Sequence, residues 1–214
     1  MAVTRREFVA CAVAALAMPR ERKDSRFVTL ADHTPRCEVL DLGEQCRIRE
    51  SIAGYRSVLA HASLRRALLV VPAALAIPTR PIERSLRRGA TVILESGAGF
   101  AEADSQEFLA HRVTLRDRLR IHIEPPIVLW PRATPYVDYT WPTPATVRDF
   151  SRVVPLRRQE GRVIATVDDV PVALMRRVGR GTLIFLGSPL GPALWADDAE
   201  ARRLLLDVVS SGSA

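Results

Sequence analysis

The sequence predicts an α/β domain built on a mostly parallel sheet, with an antiparallel extension in its C-terminal half. Short β-rich runs alternate with helical patterns from residue 37 to residue 111, as expected of successive βαβ units. Residues 67–71 and 91–94 are continuous apolar runs, the pattern of strands buried on both faces. Late in the chain, Asp168-Asp169 and Gly179-Arg180-Gly181 separate β-rich runs by tight turns, which makes a meander.

Each element follows from its own pattern. Residues 37–42 read as a first strand, and 44–61 as a helix in which Ile48, Ile52, Tyr55 and Leu59 recur at three- and four-residue spacing. After the strand at 67–71, residues 81–88 form a short helix stopped by Gly89. Strand 91–94 leads to a helix at 104–111 with Phe108 and Leu109 facing inward. From residue 119 the character changes: a strand-like stretch at 119–123 precedes a proline-rich passage with Trp130-Pro131 and Trp141-Pro142, then extended runs at 153–156 and 162–167. Prolines at this density exclude long helices and central strands, so this part reads as an irregular or antiparallel extension. Strands at 171–178 and 182–186 follow. A helix at 197–209 closes the domain, with Asp197 or Asp198 as its cap and Ala201, Leu204, Leu205 and Val208 as its apolar stripe.

The first residues belong to a different class. Thr4-Arg5-Arg6-Glu7-Phe8 runs into an apolar stretch that ends in Ala15-Leu16-Ala17, and it resembles a bacterial twin-arginine export signal. The resemblance implies transport through the twin-arginine translocation machinery and a periplasmic or other extracytoplasmic location. Its apolar segment is shorter than the ~20 residues needed to span a bilayer core, so no stable membrane span is expected in the mature chain. Cys11 offers a weaker lipoprotein reading. The organisation expected is therefore a signal at 1–17, a charged linker and entry segment at 18–36, one domain at 37–209 and a tail at 210–214.

The net charge of +7 raises the question of nucleic acid or an anionic envelope polymer. Lys23 is the only lysine, and the arginines are scattered among acidic residues, which argues against a nucleic-acid-binding stripe. Cys37 and Cys46 are close enough in sequence to suggest one disulfide stapling a strand-to-helix turn in an oxidising compartment. Neither has a partner at metal-ligand spacing, and no dinucleotide, haem or iron-sulfur motif is present, so no metal or cofactor is expected.

Three strings carry a family resemblance. Leu69-Val70-Val71-Pro72-Ala73 before a helix, Gly89-Ala90-Thr91-Val92-Ile93-Leu94-Glu95-Ser96-Gly97-Ala98-Gly99, and the hairpin from Pro171 to Ser188 are similar to class I glutamine amidotransferase-like domains. The resemblance implies a flavodoxin-like three-layer α/β sandwich. It also implies a catalytic cysteine at the turn after Leu94, where this chain has Glu95 and Ser96, and a late histidine, whereas no histidine follows His122. The chemistry of that family is therefore not expected.

The turn at Glu95, Ser96, Gly97 and Gly99 remains a candidate for ligand contact, because glycines let backbone approach a ligand closely. Ser96 or Glu95 as a hydrolytic group is the catalytic alternative, although Glu95-Ser96-Gly97-Ala98-Gly99 lacks the first glycine of a nucleophile elbow. Trp130, Tyr136, Asp138, Tyr139 and Trp141 gather two of the three tryptophans and two of the three tyrosines. Rings with polar tips beside acids suit recognition of a sugar, a small molecule or a protein, and equally suit packing over a sheet edge. The leading expectation is an exported, non-catalytic binding or interaction domain; an exported hydrolase and a basic polymer binder are the alternatives.

Overall fold

The structure is a computed structural model that describes residues 36–129, 136–149 and 152–211. The expected signal with Arg5 and Arg6, Cys11, most of the linker and Trp130 lie outside the described residues.

Ten strands are described: β1 (Cys37–Val39), β2 (Leu68–Ala74), β3 (Thr91–Ser96), β4 (Ile127–Val128), β5 (Tyr136–Tyr139), β6 (Ala145–Arg148), β7 (Arg152–Val153), β8 (Arg162–Val167), β9 (Val170–Val178) and β10 (Gly181–Leu186). Five α-helices accompany them: α1 (Arg49–Leu59), α2 (Thr79–Arg87), α3 (Gln106–Leu119), α4 (Gly191–Trp195) and α5 (Ala199–Ser210). Eight strands form one sheet in the order β1-β2-β3-β10-β9-β8-β5-β6, and β4 pairs with β7 separately.

This sheet corrects the predicted fold class. β1, β2, β3 and β10 run parallel, but every pairing from β10 outward to β6 is antiparallel. The sheet is thus evenly mixed, not mostly parallel, and the flavodoxin-like three-layer sandwich does not extend across it. Helices flank both faces of the parallel half, with α1, α4 and α5 on one apolar cluster and α2 and α3 on the other. At β5 and β6 the burial alternates strictly, leaving Tyr136, Asp138, Thr146 and Arg148 in solvent. One face of β5 and β6 is therefore open. Strands β2, β3 and β10 were legible because each carries a continuous apolar run. β5 and β6 are only four residues long and lie among prolines, so their alternation was masked.

Smaller corrections have equally local causes. Residues 119–123 are not a strand: α3 runs on to Leu119 and stops at Arg120, whose φ of 51° places it in the left-handed region of a helix cap. Leu109 is 46% exposed; Phe108, His111 and Leu115 form the buried side of α3. Ser105 caps α3 and Asp198 caps α5, each accepting a backbone N–H, an interaction that stabilises a helix by about 1 kcal/mol. Asp168 and Asp169 both have positive φ, as a two-residue hairpin turn requires.

The two cysteines are free and do not form the expected bridge. Cys37 pairs with Leu68 at the start of β2, while Cys46 bridges to Ala74 at its end. At ~3.3 Å per residue that separation is on the order of 20 Å, far beyond disulfide reach.

Candidate functional site

Glu95 and Ser96 end β3, so the two-residue period of a strand sends their side chains to opposite faces. Both are completely buried. They do not share a cleft.

Glu95 points to the face covered by α1 and α4. Tyr55 on α1 donates its hydroxyl to Oε1 at 2.6 Å, and the backbone N–H groups of Leu190 and Gly191 donate to the same oxygen at 2.7 and 2.9 Å. The Ala73 N–H reaches Oε2 at 3.1 Å. That last donor depends on local distortion: the β2–β3 register shifts between Val71 and Ala74, and Ala73 has φ 37°. Burial pushes the Glu95 carboxyl above its ordinary range, and the Tyr55, Gly191, Leu190 and Ala73 hydrogen bonds pull it back. All four partners donate, which is the environment of an ionised carboxylate. Burial and the neighbouring Glu95 together hold the Tyr55 hydroxyl well above its ordinary range, and Tyr139 is raised by the same two causes and by Asp149.

Ser96 points to the α3 face. Its Oγ lies 2.9 Å from His111 Nε2 and accepts the Ala98 N–H at 3.2 Å. His111 Nδ1 lies 2.7 Å from the Leu75 carbonyl, which can only accept, so the ring proton sits on Nδ1 and Nε2 accepts from Ser96. Burial lowers the imidazole to about 4, keeping it neutral at neutral pH. Serine, base and orienting carbonyl thus form a hydrogen-bonded chain of the kind that activates a nucleophile. The serine is nevertheless sealed from solvent. A cleft of about 390 Å³ opens beyond the end of β2, bordered by Leu75, Ala110 and the Arg47–Glu107 ion pair at 2.6 Å.

Gly97 and Gly99 serve close packing. A Cβ on Gly97 would lie 2.4 Å from the Ala73 carbonyl oxygen, and one on Gly99 would lie 2.3 Å from that of Arg152. The aromatic residues divide by strand period: Tyr139 and Trp141 are buried in the same apolar cluster as Tyr55. Tyr136 is exposed beneath the Arg148 guanidinium, 6.0 Å from the ring centre, and Asp138 accepts the Thr146 hydroxyl at 2.9 Å. Trp130 lies outside the described residues.

Sequence reasoning missed Tyr55 and His111 as partners of the turn. For His111 a signal existed, since it lies three residues beyond Phe108 on the buried side of α3. The backbone donors of Ala73, Leu190 and Gly191 left none. Among the described residues no group of three or more His, Cys, Asp or Glu side chains could hold a metal ion, and no helix is long and apolar enough to cross a membrane.

The mixed α/β sheet is similar in fold to parts of solved glycosidase structures. The exo-beta-1,4-mannosidase Op5Man5 from Opitutaceae bacterium strain TAV5 matches with a TM-score of 0.55 and 10% identity, over 85% of this chain and 36% of that one. The beta-galactosidase from Rahnella sp. R3 matches with a TM-score of 0.54 and 13% identity, over 84% of this chain and 30% of that one. For the beta-galactosidase from the Antarctic haloarchaeon Halorubrum lacusprofundi the values are 0.51, 17%, 77% and 30%. The chain spans about a third of the length of these structures, and at such identities the likeness is one of fold. No family model matches the sequence, and no curated protein matches it. These matches correct the expected kinship with glutamine amidotransferases: the similar structures reported above are glycosidases. Glycine-bearing turns beside apolar strands recur wherever β and α elements alternate, so those strings did not discriminate.

Proposed function

We propose that this chain is a binding or assembly module of carbohydrate-hydrolysing machinery, with the glycosidic bond broken elsewhere. The carrying observation is Glu95, which is fully buried with both oxygens engaged by four donors. A glycosidase ordinarily presents two carboxyl groups to the sugar, roughly 5–9.5 Å apart across an open site. Glu95 is fully buried and faces no open site. The fold likeness to a mannosidase and beta-galactosidases supports the carbohydrate context. Native affinity electrophoresis in soluble mannan or galactan, beside turnover of nitrophenyl β-mannoside and β-galactoside, tests the reading. Retardation without turnover is expected; turnover lost in a folded Glu95→Gln variant would reverse it.

A hydrolase acting through Ser96 is the second reading, favoured by the His111 contact and its fixed tautomer. Such an enzyme has to open the α3 face to admit substrate. A fluorophosphonate probe tests this: covalent labelling at Ser96, absent in Ser96→Ala, would establish it, and an unlabelled native protein supports the module.

Extracytoplasmic location is a separate proposal that rests on Arg5-Arg6 and the apolar run after them. Replacing both arginines by lysine tests the route.

A further inference from the structure

At the far end of the sheet from Glu95, the last turns of α2 and α3 meet β9 and the turn into β10 around a cleft of about 480 Å³. Its floor is apolar, made by Leu86, Leu119 and Leu183, all buried. Its walls are not: Arg87, Arg118, Arg120, Arg176 and Arg177 line it, against Glu83 and Glu160. Arg118 is bound to Glu83 at 2.7 Å, whereas Arg87 and Arg120 make no ion pair among the described residues.

Helix dipoles account for part of this charge. Cations near a helix C-terminus complement its unpaired carbonyls, which suits Arg87 and Arg118. They do not account for Arg176, which comes from β9. Its Nη1 donates to the Arg120 carbonyl at 3.0 Å, but its buried Nε has no partner. Burial lowers Arg176 from its ordinary range and the nearby Arg120 charge adds to that, while Glu160 opposes both. Arg120 itself occupies a left-handed position where glycine or asparagine is favoured, so an arginine there carries a conformational cost. Crowding like charges over an apolar floor is unfavourable without an anion between them.

We propose that this cleft binds a small polyanion bearing two or more oxyanion groups, with Arg87, Arg120 and Arg176 supplying the guanidinium forks. Its volume falls within the ~300–1,000 Å³ of small-molecule sites, and guanidinium is the side chain best matched to carboxylate and phosphate. The oxyanions have two natural sources, the carboxylates of an acidic oligosaccharide or the phosphates of a phosphate ester. The inference stands on the cleft alone, independent of the carbohydrate reading above.

Isothermal titration of the full chain with tetragalacturonate, pyrophosphate and neutral galactotetraose at low salt tests it. Binding of either anion, weakened at least tenfold in the Arg87→Gln/Arg120→Asn double variant, is the expected result, and the tighter anion identifies the source. Asparagine tolerates the left-handed backbone, and an unchanged urea midpoint shows that the variant is folded. Absence of anion binding, equal binding of the neutral sugar, or binding indifferent to the double variant would overturn the proposal.

Discussion

The Ser96 hydroxyl donates to His111 Nε2 at 2.9 Å on one face of the sheet, while its chain neighbour Glu95 is locked to Tyr55 on the other. Two adjacent polar residues at one strand end thus anchor different helices. That division governs how the domain should respond to pH and to substitution.

His111 makes stability fall in acid. Its folded-state value of about 4 lies below the ordinary 6.5, so the unfolded chain binds the proton more readily between those limits. The stabilisation is complete above pH 6.5 and is lost as pH falls toward 4, a swing of about 3 kcal/mol. Urea midpoints measured across that window in wild type and His111→Gln check it. The variant should show a flatter acid limb.

Gly97 and Gly43 should respond differently to alanine. At Gly97 the new methyl would sit 2.4 Å from the Ala73 carbonyl oxygen, displacing the backbone that supplies a donor to Glu95. A loss of at least about 2 kcal/mol is expected. Gly43 has φ 56° and nothing within 4 Å of the added atom, so conformational strain alone applies, about 1 kcal/mol. Denaturation of both variants under one condition compares them.

The aromatic group separates by strand period. Trp141→Ala removes a buried ring and should cost about 3–5 kcal/mol, whereas Tyr136→Ala, on the exposed face, should stay within about 0.5 kcal/mol. Equal losses in thermal denaturation would contradict the assigned faces.

These contrasts show where the sequence was readable. β2, β3 and β10 each carry a continuous apolar run, and the Asp168-Asp169 turn has the residues its backbone favours, so the parallel half and the meander were legible. β5 and β6 were not, because four-residue strands among prolines carry little periodicity. Helix α4 is five residues long and begins with glycine and proline, too short to show a helical period. Glu95 and Ser96 stood out by their place at a glycine-bearing turn after an apolar strand, but their opposite directions depend on the register of β3. Their backbone partners come from chain segments with no marking side chain. The disulfide expectation failed for a related reason: only eight residues lie between Cys37 and Cys46 in sequence, yet the two pair with opposite ends of β2.

That Glu95 serves the fold is a claim that the unfolding free energy of Glu95→Gln tests most directly. The amide oxygen can keep the Tyr55, Leu190 and Gly191 donors, but its NH2 then faces the Ala73 N–H, which needs an acceptor, so a loss of about 1–3 kcal/mol is predicted from urea denaturation. Replacing a catalytic carboxylate commonly leaves stability unchanged or raises it. A Glu95→Gln protein as stable as wild type, or more stable, would contradict the claim.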